Sequence, residues 1–397
     1  MMRGGVSDNR RFRLLAGVAT AGLFAPTMGF AQDASWIAGA AADFGTAARW
    51  SPAVVPTGVA TFGGAGGTIT NVDLTGGLGA ILFSAGSAVY LLQDARGTVS
   101  GAGIANGGTA AHQISVASGQ TLAFTNAATV DGVRLSAGTG SSVSFAGTAN
   151  AATATIALGN AGTLDGSGLT GALNVGTLLG GAGSTVAMGS NALRLGAGAS
   201  VFGGQITGSG GVSLALGSLT LSAAQAFTGG VDIQGGRVTI TDPGALGTDG
   251  GSFSGATAGE LRVDATGSLA VPVTWNAGAN GTLAAAVGRT VTLTGQFNAD
   301  ASSQVRLGSA TDTGTLVMAS AVYGFAPVFT LAIEGGTVRD GGAFSDATAR
   351  AATTTVAAGA ALDFNDQVFG GVTQIGNLRG AGTVNTGSLA TTVLRIG

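Results

Sequence analysis

The stretch Gly208–Gly251 reads GSGGVSLALGSLTLSAAQAFTGGVDIQGGRVTITDPGALGTDGG. Its apolar residues recur at every second position: Val212, Leu214 and Leu216, then Leu219 and Leu221, Val231 and Ile233, Val238 and Ile240. A period of two sends alternate side chains to opposite faces of an extended strand, giving one buried apolar face and one small polar face. Gly229-Gly230 and Gly235-Gly236 stand where the chain must turn, because Gly takes positive φ without a Cβ clash. The stretch therefore predicts short strand, turn, short strand, several times over.

Working outward, the same rhythm fills most of the chain. The runs ISVASGQTLAFTN, VRLSAGTGSSVSFAG and ATIALGNAGTLDGSG, between Ile114 and Gly168, repeat at about 20 residues, the mark of a solenoid. Asn126, Asn150 and Asn160 fall in or near the turns, where Asn either stacks in ladders or accepts the left-handed conformation. Beyond Ser252 the runs ELRVDATGSLAVPVTW, TVTLTGQFNA and QVRLGSATDTGTLVMA continue the alternation. Pro272 and Pro327 belong at strand edges or turns, since Pro donates nothing to a ladder. A spacer role would call for long insertions between coils, and Gly324–Ala351 is the only weakly patterned candidate for one. We expect an all-β, right-handed parallel β-helix (β-solenoid), single and elongated, of roughly 15 to 18 turns of about 20–25 residues.

Composition agrees with many short strands. The chain has 397 residues with 74 Gly, 9% charged residues and 45% hydrophobics. Average Gly usage is about 7%. Disordered chains are charged and poor in aliphatics, the reverse of this one, and no triplet period points to collagen. All 16 basic residues are Arg and the net charge is −3, which argues against a nucleic-acid surface. With no Cys, disulfide staples and thiolate metal sites are excluded.

Met1–Ala31 reads as a secretory signal peptide. Arg3, Arg10, Arg11 and Arg13 form the basic start, Leu14–Phe24 the apolar core, and Gly29-Phe30-Ala31 the small-residue cleavage site. Arg13 stands where a twin-arginine motif wants Phe, so ordinary export across the inner membrane is the expectation.

The opening stretch also resembles the autotransporter-associated β-strand repeat of bacterial autotransporter (type V secretion) passenger domains. The likeness rests on Gly208-Ser209-Gly210-Gly211, Leu219-Thr220-Leu221-Ser222, Phe227-Thr228-Gly229-Gly230 and Ala245-Leu246-Gly247. The chain departs from the family at Phe227, usually Tyr, and at Ser213-Leu214-Ala215, usually Lys-Thr-Gly. Thr354–Asp366 is similar to family sequence too, as is the opening Ser35–Leu92 with Trp36, Trp50, Pro52 and Pro56. Residues 32–92 are expected to form an N-terminal cap whose Trp and Phe rings cover the open end of the stack; a sugar-binding Trp pair is the sharper alternative. The organisation expected is a signal peptide at 1–31 and a β-helical passenger at 32–397, with 208–251 as its repeat.

A longer echo joins Val175-Gly176-Thr177-Leu178 and Leu193-Arg194-Leu195-Gly196 to Ile375-Gly376-Asn377-Leu378 and Leu394-Arg395-Ile396-Gly397. A further repeat follows the first copy; the second closes the sequence, so we expect the front of a longer protein. The resemblance implies an outer-membrane translocator barrel as partner in the full-length protein. It also implies display at the cell surface or release outside it.

Chemistry is sparsely signalled. The single His, His112, lies beside Gly107-Gly108 and reads as a solvated loop residue. One His makes neither a multi-His metal site nor, without motif partners, a triad. No nucleophile elbow, phosphate loop or zinc-protease motif occurs. Stacked coils can bring distant carboxylates together, and a glycosidase needs two of them about 5–10 Å apart. Asp363 with Asp366, or Asp340 with Asp346, are the candidates; turn chemistry is the plainer role for them. The expectation is a non-catalytic passenger with no catalytic, cofactor-binding or metal-ligating residues and no cofactor. It would act through adhesion to a host surface or glycan, or through self-association. A carbohydrate-active β-helix enzyme and a spacer stalk are the rivals.

Overall fold

The computed structural model describes residues 31–37, 41–320, 323–326, 328–342, 344–364, 372–386 and 393–396. The expected signal peptide, apart from Ala31, and Pro327 lie outside the described residues.

Most of the short strands pair in parallel with the strand one coil earlier and the strand one coil later. Val212–Leu214 lies between Leu193–Leu195 and Val231–Ile233, and Ser218–Leu221 lies between Ala199–Phe202 and Gly236–Ile240. The step from coil to coil ranges from 19 residues, Val212 to Val231, up to 27, Ala42 to Ile69. The result is a nearly all-β parallel β-solenoid of about 15 turns, the architecture the periodicity predicts. At about 4.8 Å per coil, those turns make a stack on the order of 70 Å long.

Alternation decides which side chains face inward. Val212, Leu214, Leu219, Leu221, Val231, Ile233, Val238 and Ile240 are all buried. Parallel register places like residues over one another. Phe253 lies on Trp275 with ring centroids 4.7 Å apart, Phe124 on Phe145 at 5.1 Å and Phe62 on Phe83 at 5.5 Å. The Trp275 indole N–H donates to the Gly281 carbonyl at 2.8 Å, so the largest inward ring is also satisfied.

At the N-terminal end the pattern changes. Ala34–Trp36 pairs antiparallel with Trp50–Ser51, setting Trp36 opposite Trp50. The two rings meet edge-on at 5.0 Å, and Trp50 also packs on Phe44 and Phe62. Its indole N–H donates to the Phe44 carbonyl at 2.9 Å. Both Trp residues are buried, so neither offers a ring face to a sugar.

Two expectations need correction. Leu216, in phase with Val212 and Leu214, is 55% exposed. The strand stops at Leu214, and Gly217, at φ +78°, turns the chain and resets the alternation before Leu219. Gly324–Ala351 is no insertion. Thr330–Ile333 pairs with Gln304–Leu307 and Thr337–Asp340 with Thr315–Met318, and the short helix Ser345–Arg350 follows. The alternation there was masked by Gly and by the polar residues Thr337, Arg339 and Asp340. Of the two roles open to the turn Asn residues, the left-handed one is taken by Asn126. Asn126 takes φ +59° and donates to the Ser100 carbonyl at 2.9 Å, while Asn150 bridges to Thr129. Pro272 directly precedes the strand Val273–Trp275, where its missing donor costs nothing.

Gly281 is the tightest test of the aromatic column. A Cβ there would overlap the rings of Phe253 and Trp275, whereas Gly171, with an ordinary φ, has open space around it. Gly281→Ala should therefore cost about 1–3 kcal/mol by overpacking, and Gly171→Ala should stay within about 0.5 kcal/mol. Urea unfolding followed by tryptophan fluorescence measures both; equal midpoints would remove the packing account.

Candidate functional site

The carboxylate candidates are engaged in structure. Asp340 occupies an inward position in line with Met318, fully buried, and accepts the Gly342 and Phe344 amide N–H groups at 2.8 and 3.0 Å. It thereby holds the chain entering the helix Ser345–Arg350. Asp363 receives the Arg339 guanidinium at 2.9 Å and the Asn385 amide at 3.1 Å. Asp366 and the side chain of Asp346 lie outside the described residues. Among the described residues, no group of three or more His, Cys, Asp or Glu is placed to hold a metal ion.

His112 is not in a solvated loop; it is completely buried. Its ring stacks on Phe83 at 4.0 Å, with 9° between the planes. Nδ1 accepts the Tyr90 backbone N–H at 3.1 Å, which leaves the proton on Nε2, 3.3 Å from the Ser87 hydroxyl. The signal was in the sequence: His112 is in phase with the inward residues Ile114 and Val116. Burial pushes its pKa below the ordinary 6.5. Ser87 and His112 lack a carboxylate partner in these bonds, and the pair closes the core beside the terminal ring cluster.

The densest charge lies elsewhere, and sequence reasoning missed it. Between the strands Gln304–Leu307 and Thr315–Met318, the loop 308–314 folds back across the coils. Asp312, buried, reaches Arg262, 50 residues earlier, at 2.7 Å and lies 3.9 Å from Arg237. Arg237 also pairs with Glu260 at 2.8 Å, and Asp264 takes Arg262 at 2.8 Å and Arg289 at 3.1 Å. Those two guanidinium groups hold the Asp264 carboxyl below its ordinary pKa. Six alternating charges thus latch a loop onto earlier coils. Every acid here is countered by an Arg, an arrangement suited to fastening.

The outer surface offers a different kind of site. One ladder runs up successive coils from Asn174 through Arg194, Ser213, Asp232 and Ser252 to Thr274. The Ser252 hydroxyl donates to Asp232 at 3.3 Å, and the Gln234 amide donates to the same carboxylate at 3.0 Å. A groove of about 410 Å³ opens beside this ladder, lined by Asn174, Arg194, Ser213 and Gln234 over Gly196 and Ala215. Among the described residues Arg194 makes no ion pair, since its ladder neighbours, Asn174 and Ser213, are neutral.

No family model, curated protein or solved structure matches the chain.

The buried groups have measurable consequences. The unfolded chain protonates His112 near pH 6.5, whereas the folded chain resists protonation to lower pH. Stability from this group is therefore complete above about pH 6.5 and declines as pH falls below it, by at most about 1.4 kcal/mol per pH unit. Thermal unfolding at pH 7.5 and 5.5 should show a smaller drop for His112→Gln than for the native chain; parallel drops would reject the assignment. Asp312→Ala, which removes the loop's carboxylate but leaves Arg262 paired with Asp264, should cost about 1–3 kcal/mol and speed proteolytic cleavage within 308–314. An unchanged cleavage rate would mean the loop is held by its backbone alone.

Proposed function

We propose that this chain is a non-catalytic passenger domain of the autotransporter kind, displayed on the outer membrane or released outside the cell. It acts there through adhesion or self-association. The observation that supports this reading best is the stack of about 15 turns with ladders of short polar side chains on its outer faces. Such a surface carries polar side chains outward on coil after coil. Weak contacts made in parallel then gain strength by effective concentration, with no need for a deep pocket.

The route of export fits the same architecture. A solenoid gains its core one coil at a time, because each coil buries its apolar face only against neighbours. A chain crossing a membrane unfolded can therefore fold progressively on the far side. The sequence features behind this part of the proposal are the basic and apolar opening of the chain and the resemblance at Gly208–Gly251.

Fractionation of the native host, probed with antibody to residues 208–251, tests the proposal. We expect the antigen in the outer-membrane or medium fraction, in a product larger than 37.8 kDa when membrane-associated. A product confined to the cytoplasm would overturn the reading.

A further inference from the structure

We propose that the groove beside Arg194 binds a carboxylated polysaccharide; this inference rests on the passenger reading and supplies its ligand class. The groove lies where two solenoid faces meet. One face carries Leu193–Leu195 and Val212–Leu214, the other Ala199–Phe202 and Ser218–Leu221. Small residues line the corner between them. A Cβ on Gly196 would stand 3.2 Å from the Gly176 carbonyl, so adjacent coils approach closely at this corner. The concavity is thus built into the coil stacking.

Its polar groups have complementary capacities. Arg194 is exposed, carries five N–H donors in a planar fork and faces no carboxylate on either adjacent coil. The ladder's nearest acid, Asp232, is two coils away, about 10 Å, and is bonded by Gln234 and Ser252. Several other cross-coil Arg residues meet acids directly, as Arg237 meets Glu260 and Arg339 meets Asp363, whereas Arg134, between Gln113 and Thr155, shares the neutral setting of Arg194. Arg194 is left with a fork that matches a planar carboxylate bidentately. Asn174, Ser213 and Gln234 add amide and hydroxyl groups able both to donate and to accept, as sugar hydroxyls do. These groups recur at the coil spacing of about 4.8 Å, which suits an extended polymer lying along the stack. An uronic acid chain combines these properties: carboxylates for Arg194, and hydroxyls for its neighbours.

Isothermal titration calorimetry of the full chain with a galacturonic acid octasaccharide tests the assignment. The native chain should bind it, and its methyl-esterified form should bind about tenfold more weakly. Raising the salt should weaken the charged ligand selectively. Arg194→Gln and Ala215→Glu should each lower affinity by about tenfold or more, while Arg379→Gln, at an exposed ladder position distant from the groove, should leave it unchanged. Circular dichroism confirms that each variant is folded. No binding by the native chain, equal binding of the esterified form, or full binding by Arg194→Gln would overturn the proposal. A poly-glutamate peptide that competes equally well would overturn the sugar assignment. Any of these results with the chain still at the cell surface rejects this inference alone; a cytoplasmic chain rejects the reading beneath it.

Discussion

A single coil of this protein cannot bury its own apolar face, and that constraint governs the rest of the structure. Two or three short strands enclose too little volume, so burial is completed by the coil above and the coil below. Parallel pairing satisfies the backbone groups of each strand at the same time. Stacking in register then forces equivalents over equivalents. Ile233, Phe253 and Trp275 form one inward column, and wide rings in such a column demand small neighbours. Gly281 stands against Phe253 and Trp275 for that reason, and its carbonyl takes the indole proton. The high glycine content thus has two sources: turns that need positive φ, and places where a ring or a neighbouring coil leaves no room for a Cβ.

The same register rule acts on the outer faces with opposite consequences. Like charges stacked one coil apart would repel along the axis. Several of the few charges present are accordingly paired with their opposites across coils. Asp73 meets Arg96, Arg237 meets Glu260, Arg306 meets Glu334 and Arg339 meets Asp363. Exposed pairs of this sort contribute little stability individually, typically about 0–1 kcal/mol. Their value is in register, since a slip of one residue would turn a charge toward the core. Between the pairs the ladders are filled by Ser, Thr, Asn and Gln, which stack without repulsion.

How much of this is legible in the sequence depends on whether a property is local. Period-two alternation is local, and spacing alone marks Val212, Leu214, Val231 and Ile233 as inward. His112 obeys the same alternation through Ile114 and Val116, yet its chemistry hides it. A His beside two glycines resembles a loop residue until Phe83 and Tyr90, each one coil or more away, are seen to enclose it. Leu216 fails in the other direction, because the alternation does not reveal that Gly217 ends the phase. The Asp312 latch was not legible at all. Ser309, Thr311 and Thr313 around it have the composition of an ordinary turn, and its partner Arg262 lies 50 residues away with no periodic relation. The groove at Arg194 is of the same kind, since its walls come from separate coils.

A stack held mainly by nearest-neighbour contacts behaves almost as a one-dimensional system, in which ends fray and interior coils can open locally. Two features work against that tendency. At the N-terminal end the antiparallel turn-back of Ala34–Trp36 on Trp50–Ser51 crowds Trp36, Phe44, Trp50 and Phe62 into one cluster. Phe83, Tyr90 and His112 extend it over the following coils, so the first coil is tied to several others through ring contacts. Farther along, the loop 308–314 reaches past its immediate neighbour to Arg262 and so couples coils that do not touch through strand pairing. Both devices add links beyond nearest neighbours. In a one-dimensional stack such links raise the cost of opening any single coil, because several interfaces must then break together.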